Sequence, residues 1–293
     1  RTRAVSALLV LILLLGLLPG TAWAAEPELE GIGTPDDPYL ISNEEELRIF
    51  RDLTAGTPSD EGNNPNAALC ARLTADLDLS GEEWEPFSPA DGYVSSAYAG
   101  TFDGDGHTIS GLSINSSESN QGLFGLINGA AIQNLNVEGS VSSTNSYVGG
   151  IVGKVQSGTI ENCSFSGTVT SGHTSGYAGG IAGYAGNSAS QKAVIENCSN
   201  SGDIAGATAG GIVGYAKYSS LQNCYNVGSI QGKTRSGGIA GQLQNNCGAE
   251  NCYHIGEVQG SETAGGICDF LYTSSTLVNC YSTGSIFNAG TGS

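Results

Sequence analysis

A two-part block returning about every 28 residues constrains this chain more than any other feature. The first part reads GLFG at 122–125, GGIVG at 149–153, GGIAG at 179–183, GGIVG at 210–214, GGIAG at 237–241 and GGICD at 265–269. The second is Asn-Cys-x-x-x-Gly-x-Val/Ile at 162–169, 197–204, 223–230, 251–258 and 279–286; it occurs at 134–141 with Leu135 in the Cys place. Spacing inside the blocks is fixed, while the connectors between them vary. Rigid blocks with elastic connectors are expected of stacked strands with surface loops. The period suits a solenoid and is too short for a propeller blade. Helical repeats are excluded by residue type, because the blocks are rich in Gly and β-branched side chains.

Each coil reads as three short strands: one containing GGI[AV]G, one ending at Asn-Cys, one closing on the final Val or Ile. Aligned coils give apolar columns. Leu123, Ile151, Ile181, Ile212, Ile239 and Ile267 form one; Ile132, Ile160, Ile195, Leu221 and Leu277, interrupted by Ala249, form another. Proline would break such ladders, and all eight prolines lie at or before Pro89. The prediction is an all-β parallel β-helix of about seven coils, counting an irregular first one at 101–114, with a small helix-containing N-terminal cap.

The Asn column (Asn134, Asn162, Asn197, Asn223, Asn251, Asn279) is expected at a left-handed corner, each amide bonding the Asn above and below. The Gly column at 139, 167, 202, 228, 256 and 284 marks a corner where a Cβ would clash. Five of eight cysteines (Cys163, Cys198, Cys224, Cys252, Cys280) share one column. Side chains stacked in parallel point the same way rather than at each other, so an apolar thiol ladder is preferred over disulfides. Cys70, Cys247 and Cys268 lie outside it, and a Cys247–Cys268 bridge stays open as an alternative.

Upstream the rules change. Arg1 and Arg3, an apolar run and Ala22-Trp23-Ala24 make residues 1–24 a secretory signal peptide cleaved after Ala24. The sequence starts with Arg1 and not Met, so a truncated upstream end is expected. Residues 25–97 carry 17 acids and three bases and form an acidic cap region; residues 98–293 are the repeats. Ser42 and Glu45 predict a capping box for a helix from Glu44 to Ala55, with Leu47, Phe50 and Leu53 at helical spacing. Residues 72–79 alternate as a strand, and Trp84 and Phe87 are expected in the core.

The segments GIGTPDDPYLIS (31–42) with EEL (45–47), LTADLDLSG (73–81), GTFDGDGHTISGL (100–112) and GLFG, followed by the GGI[AV]G coils, resemble GLUG-motif proteins. These are bacterial, mostly surface-exposed β-helical proteins. The same region is similar to one upstream of the catalytic domain in IgA-specific metallopeptidases. The resemblance implies export and a β-helix, and it carries over no catalytic residue.

Net charge is −18, from 10 Lys and Arg against 28 Asp and Glu. Nucleic acid and anionic membrane surfaces require basic footprints, so both are excluded as partners. No membrane span is expected in the mature chain. The three histidines (107, 173, 254) make no HExxH, so no peptidase zinc site is expected. Asp103 and Asp105 are the weak metal candidates; Asp-Gly pairs favour a tight turn instead. Glu161, Glu196 and Glu250 read as a solvated stripe, and Tyr225, Tyr253 and Tyr281 as sugar-stacking rings or a self-stacked column. No cofactor is expected. The function expected is a secreted or cell-surface, non-enzymatic adhesion or spacer module. Its partners would be host or cell-wall glycans or proteins, and it would be a monomer unless missing C-terminal repeats leave an open end. The alternatives are a carbohydrate-active β-helix enzyme, a polysaccharide lyase or hydrolase using one of Asp103, Asp203 or Asp269, and the non-catalytic forepart of a surface metallopeptidase.

Overall fold

The computed structural model describes residues 29–55, 66–88 and 97–288. The leader at 1–24 and its cleavage after Ala24 lie outside them. The chain winds as a parallel β-solenoid. On one sheet, Tyr39–Ile41, Ala71–Leu73, Thr101–Asp103, Phe124–Gln133, Val152–Glu161, Ala182–Ala185, Val213–Lys217, Ala240–Gln244 and Cys268–Leu271 stack in that order, all parallel. On the other, Leu77–Asp78, Thr108–Ser116, Asn136–Ser143, Ser164–Ser171, Asp203–Gly210, Ile230–Gly237, Val258–Gly260 and Ile286–Asn288 do the same. Two rungs of the first sheet therefore come from the acidic N-terminal region, and the stack runs continuously across residue 97.

The Gly-Gly block sits differently from its expected place inside one strand. In one coil the strand Tyr177–Gly179 ends, the chain bends at Gly180 and Ile181, and Ala182–Ala185 starts on the other sheet. A Cβ on Gly179 would overlap the Ala182 carbonyl oxygen, and one on Gly183 would lie 2.7 Å from the Tyr147 carbonyl carbon. A Cβ on Gly180 would meet the inward Asn200 side chain. The outer two glycines thus make a re-entrant corner, and the middle one leaves room in the core. The bend is itself laddered: Ile181 N donates to Ile212 O (3.0 Å), Ile212 N to Ile239 O (2.9 Å) and Ile239 N to Ile267 O (2.8 Å).

The two predicted apolar columns line one continuous core from Ile41 to Val258. Each Ile or Leu fully withdrawn from water contributes roughly 1.5–3 kcal/mol. In the last described coil Leu277, Ile286 and Phe287 are exposed. At the other end the helix Glu44–Ala55 inserts Phe50 among Phe87, Tyr98 and Phe102, with ring centroids 5.8, 6.3 and 6.2 Å away. Its cap is one residue later than expected. Asn43 Oδ1 accepts from Glu46 N (3.0 Å), making Asn43 the cap, while the Glu46 carboxylate accepts from Ser42 N (2.6 Å), one residue before that cap. Residues 72–79 likewise split into Ala71–Leu73 and Leu77–Asp78 on different sheets, because the apolar alternation continues around a corner.

Candidate functional site

The six asparagines stand in register, each with a left-handed φ of 51–55°. Asn162 Nδ2 donates to Asn134 Oδ1 (3.1 Å), Asn197 to Asn162 (3.1 Å), Asn223 to Asn197 (3.1 Å), Asn251 to Asn223 (3.2 Å) and Asn279 to Asn251 (3.3 Å). The run ends on a carboxylate: Asn134 Nδ2 donates to Asp103 Oδ1 at 2.9 Å. Every amide donates toward the N-terminal coil, so the positive ends of aligned dipoles face Asp103, as at a helix N-terminus. Asp103 also accepts from Asp105 N (2.9 Å) and Gln133 Nε2 (3.0 Å). Burial pushes this carboxyl up; the bonds from Asn134, Asp105 and Gln133, with the Arg72 charge, outweigh it and hold the group below its ordinary value.

Asp105 (φ 49°) and Gly106 (φ 84°) turn the chain so that His107 N donates to Gly104 O (2.8 Å). Asp103 is therefore the foot of an amide ladder and Asp105 part of a tight turn. His107 pairs with Asp76 instead, Nδ1 to Oδ1 at 3.1 Å. Among the described residues no three His, Cys, Asp or Glu side chains gather as a metal cluster. Asp203 lies on the second sheet, where it and Glu257 line a shallow concavity of ≈260 Å³, and Asp269 bonds Thr263 Oγ1 in the last coil. The three carboxylates considered for catalysis thus occupy separate places.

All eight cysteines are free thiols, Cys247 and Cys268 included. In the column each Sγ lies near two carbonyls, one two residues earlier and one from the preceding coil: Cys198 to Glu196 O (3.2 Å) and Ile160 O (3.5 Å), Cys224 to Gln222 O (3.2 Å) and Ile195 O (3.5 Å). Burial, joined by the Cys163 contact, pushes the Cys198 thiol well up; at Cys224 the bond with Cys252 leads and burial adds. Burial also lifts Cys247 to about 11 and Cys268 to about 12. Thiols held protonated and covered are poor nucleophiles. The native protein is expected to react with Ellman's reagent first at half-buried Cys280 and more slowly at Cys268, whose thiol burial holds protonated, and at all eight thiols in guanidinium. Fewer than eight in denaturant would reveal a disulfide.

A second ladder was missed in the sequence. Two residues beyond each column thiol, the inward position runs Val137, Phe165, Asn200, Asn226, His254, Ser282, in register from coil to coil. Asn200 Nδ2 donates to Asn226 Oδ1 (2.7 Å), and Asn226 Nδ2 lies 3.0 Å from His254 Nδ1; all three side chains are fully buried. The signal was the change from Val137 and Phe165 to Asn200, Asn226 and His254 at one fixed place in the block, two residues after the Cys position. Burial lowers the His254 pKa, although contacts with Asn226 and Gly256 oppose this. The unfolded chain then binds a proton more readily than the folded one below about pH 6.5, so stability falls as pH drops through that value. His254→Asn, which repeats the residue of the two preceding coils, is expected to abolish the part of the melting-temperature loss between about pH 7 and pH 5.5 that this proton causes. An unchanged pH profile would contradict it.

The outer faces carry repeated side chains. Tyr225, Tyr253 and Tyr281 stack at 5.1 and 5.4 Å with nearly parallel rings. Tyr225 also lines an open groove of ≈610 Å³ shared with Asn136, Glu138, Asn197 and several serines. Glu161, Glu196, Gln222 and Glu250 are in register on the first sheet. At the re-entrant corner a second aromatic group forms. Tyr147 and Tyr177 stack at 5.8 Å, Tyr184 and Tyr215 at 5.0 Å, and Tyr177 approaches Tyr215 to 5.1 Å. The Lys154 ammonium sits 5.4 Å from the Tyr147 ring and 5.7 Å from Tyr184, and Lys217 lies 5.7 Å from Tyr184. Burial, then the neighbouring Lys217 charge, pushes Lys154 below the ordinary lysine value.

Fold and surface together define a β-helical module built from repeated coils. The chain carries the GLUG motif, matched at residues 144–170 and 174–205. Over 151 residues it is 36% identical to halomucin of Haloquadratum walsbyi, a match covering 48% of this chain and 2% of halomucin. It is 32% identical over 139 residues to a "Putative Gly-rich membrane protein" of Evansella cellulosilytica, covering 46% of this chain and 15% of that protein. These matches span a small part of either relative. A solved structure named as a "putative immunoglobulin A1 protease" from Bacteroides ovatus superposes with a TM-score of 0.68 at 26% identity, over 88% of this chain and 79% of that one. The likeness to GLUG-motif proteins and to a protein of that protease type, expected from the motifs, is thereby found. No helix among the described residues is long and apolar enough to cross a membrane.

Proposed function

We propose that this chain is a non-enzymatic module at the cell surface or outside the cell, a stiff β-helical segment that adheres or holds a neighbouring segment away from the cell. The observation that carries this reading is the ladder from Asp103 to Asn279, which commits the most reactive-looking carboxylate and the repeat's corner amides to joining coils. What remains outward is long strips of like residues, a geometry suited to binding extended partners. The relative named as a membrane protein supports a surface address. The test is binding of the purified chain to cells and to a glycan array, beside a turnover panel of polyuronates and host glycans. Binding without turnover is the expected result; turnover abolished by Asp203→Asn or Asp269→Asn would replace this reading with an enzyme. A second reading, the non-catalytic forepart of a peptidase directed at immunoglobulin A, is favoured by the extent of the Bacteroides ovatus likeness. It predicts capture of immunoglobulin A by the chain alone.

A further inference from the structure

We propose that the re-entrant tyrosine strip around Lys154 and Lys217 binds an acidic polysaccharide, its sugar faces lying on the rings and its carboxylates between the two ammonium groups. This deepens the surface-module reading and rests on it. The repeat region holds five basic residues, Lys154, Lys192, Lys217, Lys233 and Arg235, against 11 acidic ones. Yet two of the five converge on one aromatic cluster, both within 6 Å of the Tyr184 ring, where chance scattering in an acidic chain would seldom place them. Neither ammonium has an ion-pair partner among the described residues. Two like charges, one half-buried, repel each other without a counter-ion, and an anion seated between them removes that cost.

The neighbouring positions do not supply that anion. The register column through the strip runs Leu126, Lys154, Tyr184, Tyr215, Gln242, Phe270, with no acid in it. Tyr177, on the other wall of the corner, is followed in register by Thr208 and Arg235. Asp269, next to Phe270 at the far end of that column, is already bonded to Thr263.

Ring geometry selects a sugar over an acidic peptide. Half-exposed tyrosines at 5.0–5.8 Å, two on each wall from adjacent coils, make a short aromatic floor across three coils. A polymer with one flat, C–H-bearing ring per repeat can lie along such a floor, with its acid groups at regular intervals. The tyrosine hydroxyls supply hydrogen bonds: Tyr215 Oη already donates to Gln244 Oε1 at 2.9 Å and stays free to accept.

The experiment measures binding of the full chain to polygalacturonate, to its methyl ester and to poly-L-glutamate of matched length, at two salt concentrations. The expected result is salt-sensitive binding of polygalacturonate, at least tenfold weaker for the ester and for poly-L-glutamate. Lys154→Gln with Lys217→Gln should weaken it at least tenfold, and Tyr184→Ala by a similar factor. Lys217→Gln alone should give part of that loss, so the result does not depend on the double variant folding. Equal binding of the ester, equal binding of poly-L-glutamate, insensitivity to the lysine variants, or no polygalacturonate binding would each overturn the inference. If the chain holds to cells but does not bind polygalacturonate, this inference fails while the surface-module reading stands. If polygalacturonate binds but the chain holds to no cell, the adhesive reading fails and the strip stands.

Discussion

Gly210→Ala is expected to destabilise the solenoid by about 3 kcal/mol or more, the upper range for forced overpacking. A Cβ there would overlap the Val213 carbonyl oxygen, crowd Gly241 N of the next coil at 2.5 Å and lie 2.9 Å from Ala240 Cα. All three are backbone atoms, so no side chain can turn aside to relieve the contact. The strain would be shared by two coils, because the corner is laddered between them. Gly248→Ala is the internal control. Its nearest neighbour would be Thr276 Oγ1 at 3.7 Å, an ordinary contact, and its φ lies outside the left-handed region. That exchange should be neutral or raise stability by about 0.4–1 kcal/mol through the unfolded chain. Urea midpoints of the two variants measure the difference. Similar midpoints would mean that the Gly-Gly corner is not what fixes the coil.

Asn226→Ala should cost about 4 kcal/mol, the sum of several buried groups left without partners at roughly 1–3 kcal/mol each. Asn226 donates to Gly228 O (3.1 Å), accepts from Gly228 N (3.1 Å) and from Asn200 Nδ2 (2.7 Å), and contacts His254 Nδ1 (3.0 Å). None of these can turn to water, since the side chain is fully buried. Asn197→Ala in the corner ladder should lose less, about 2 kcal/mol, mostly the roughly 1–2 kcal/mol of a left-handed alanine. Its amide is exposed, and water can replace the two ladder bonds. Asn197→Gly should recover most of that loss. If Asn197→Ala proved the more damaging of the two ladders, the outer amides would hold the stack more strongly than the inner ones.

These two cases also show what the sequence made legible. The period, the columns Ile151–Ile181–Ile212–Ile239 and the corner asparagines could be read because like residues recur at fixed spacing, and stacking turns recurrence directly into contact. The inner column could not be read the same way. It changes from Val137 and Phe165 to Asn200, Asn226 and His254, and a column that changes chemistry looks like noise until the register is known. The Gly-Gly corner was taken for strand because Ile at its centre is apolar and inward, as in a strand, while the bend depends on backbone contacts with Val148 and Ala182 that composition does not show. The tyrosine strip was hidden for a third reason. Tyr177 and Tyr184 are seven residues apart on different walls, and the re-entrant bend brings their rings to 6.1 Å. Upstream, the rungs at Tyr39–Ile41 and Ala71–Leu73 escaped the repeat search because they share the stacking geometry without its residues.

A crystal structure of the chain tests the central claim, that successive windings set matching side chains one above another and tie them from Asp103 onward. The account predicts Nδ2-to-Oδ1 contacts near 3 Å along all six asparagines, ending on the Asp103 carboxylate. Asparagines facing unlike neighbours, or Asp103 turned into a cleft with other acids, would contradict it.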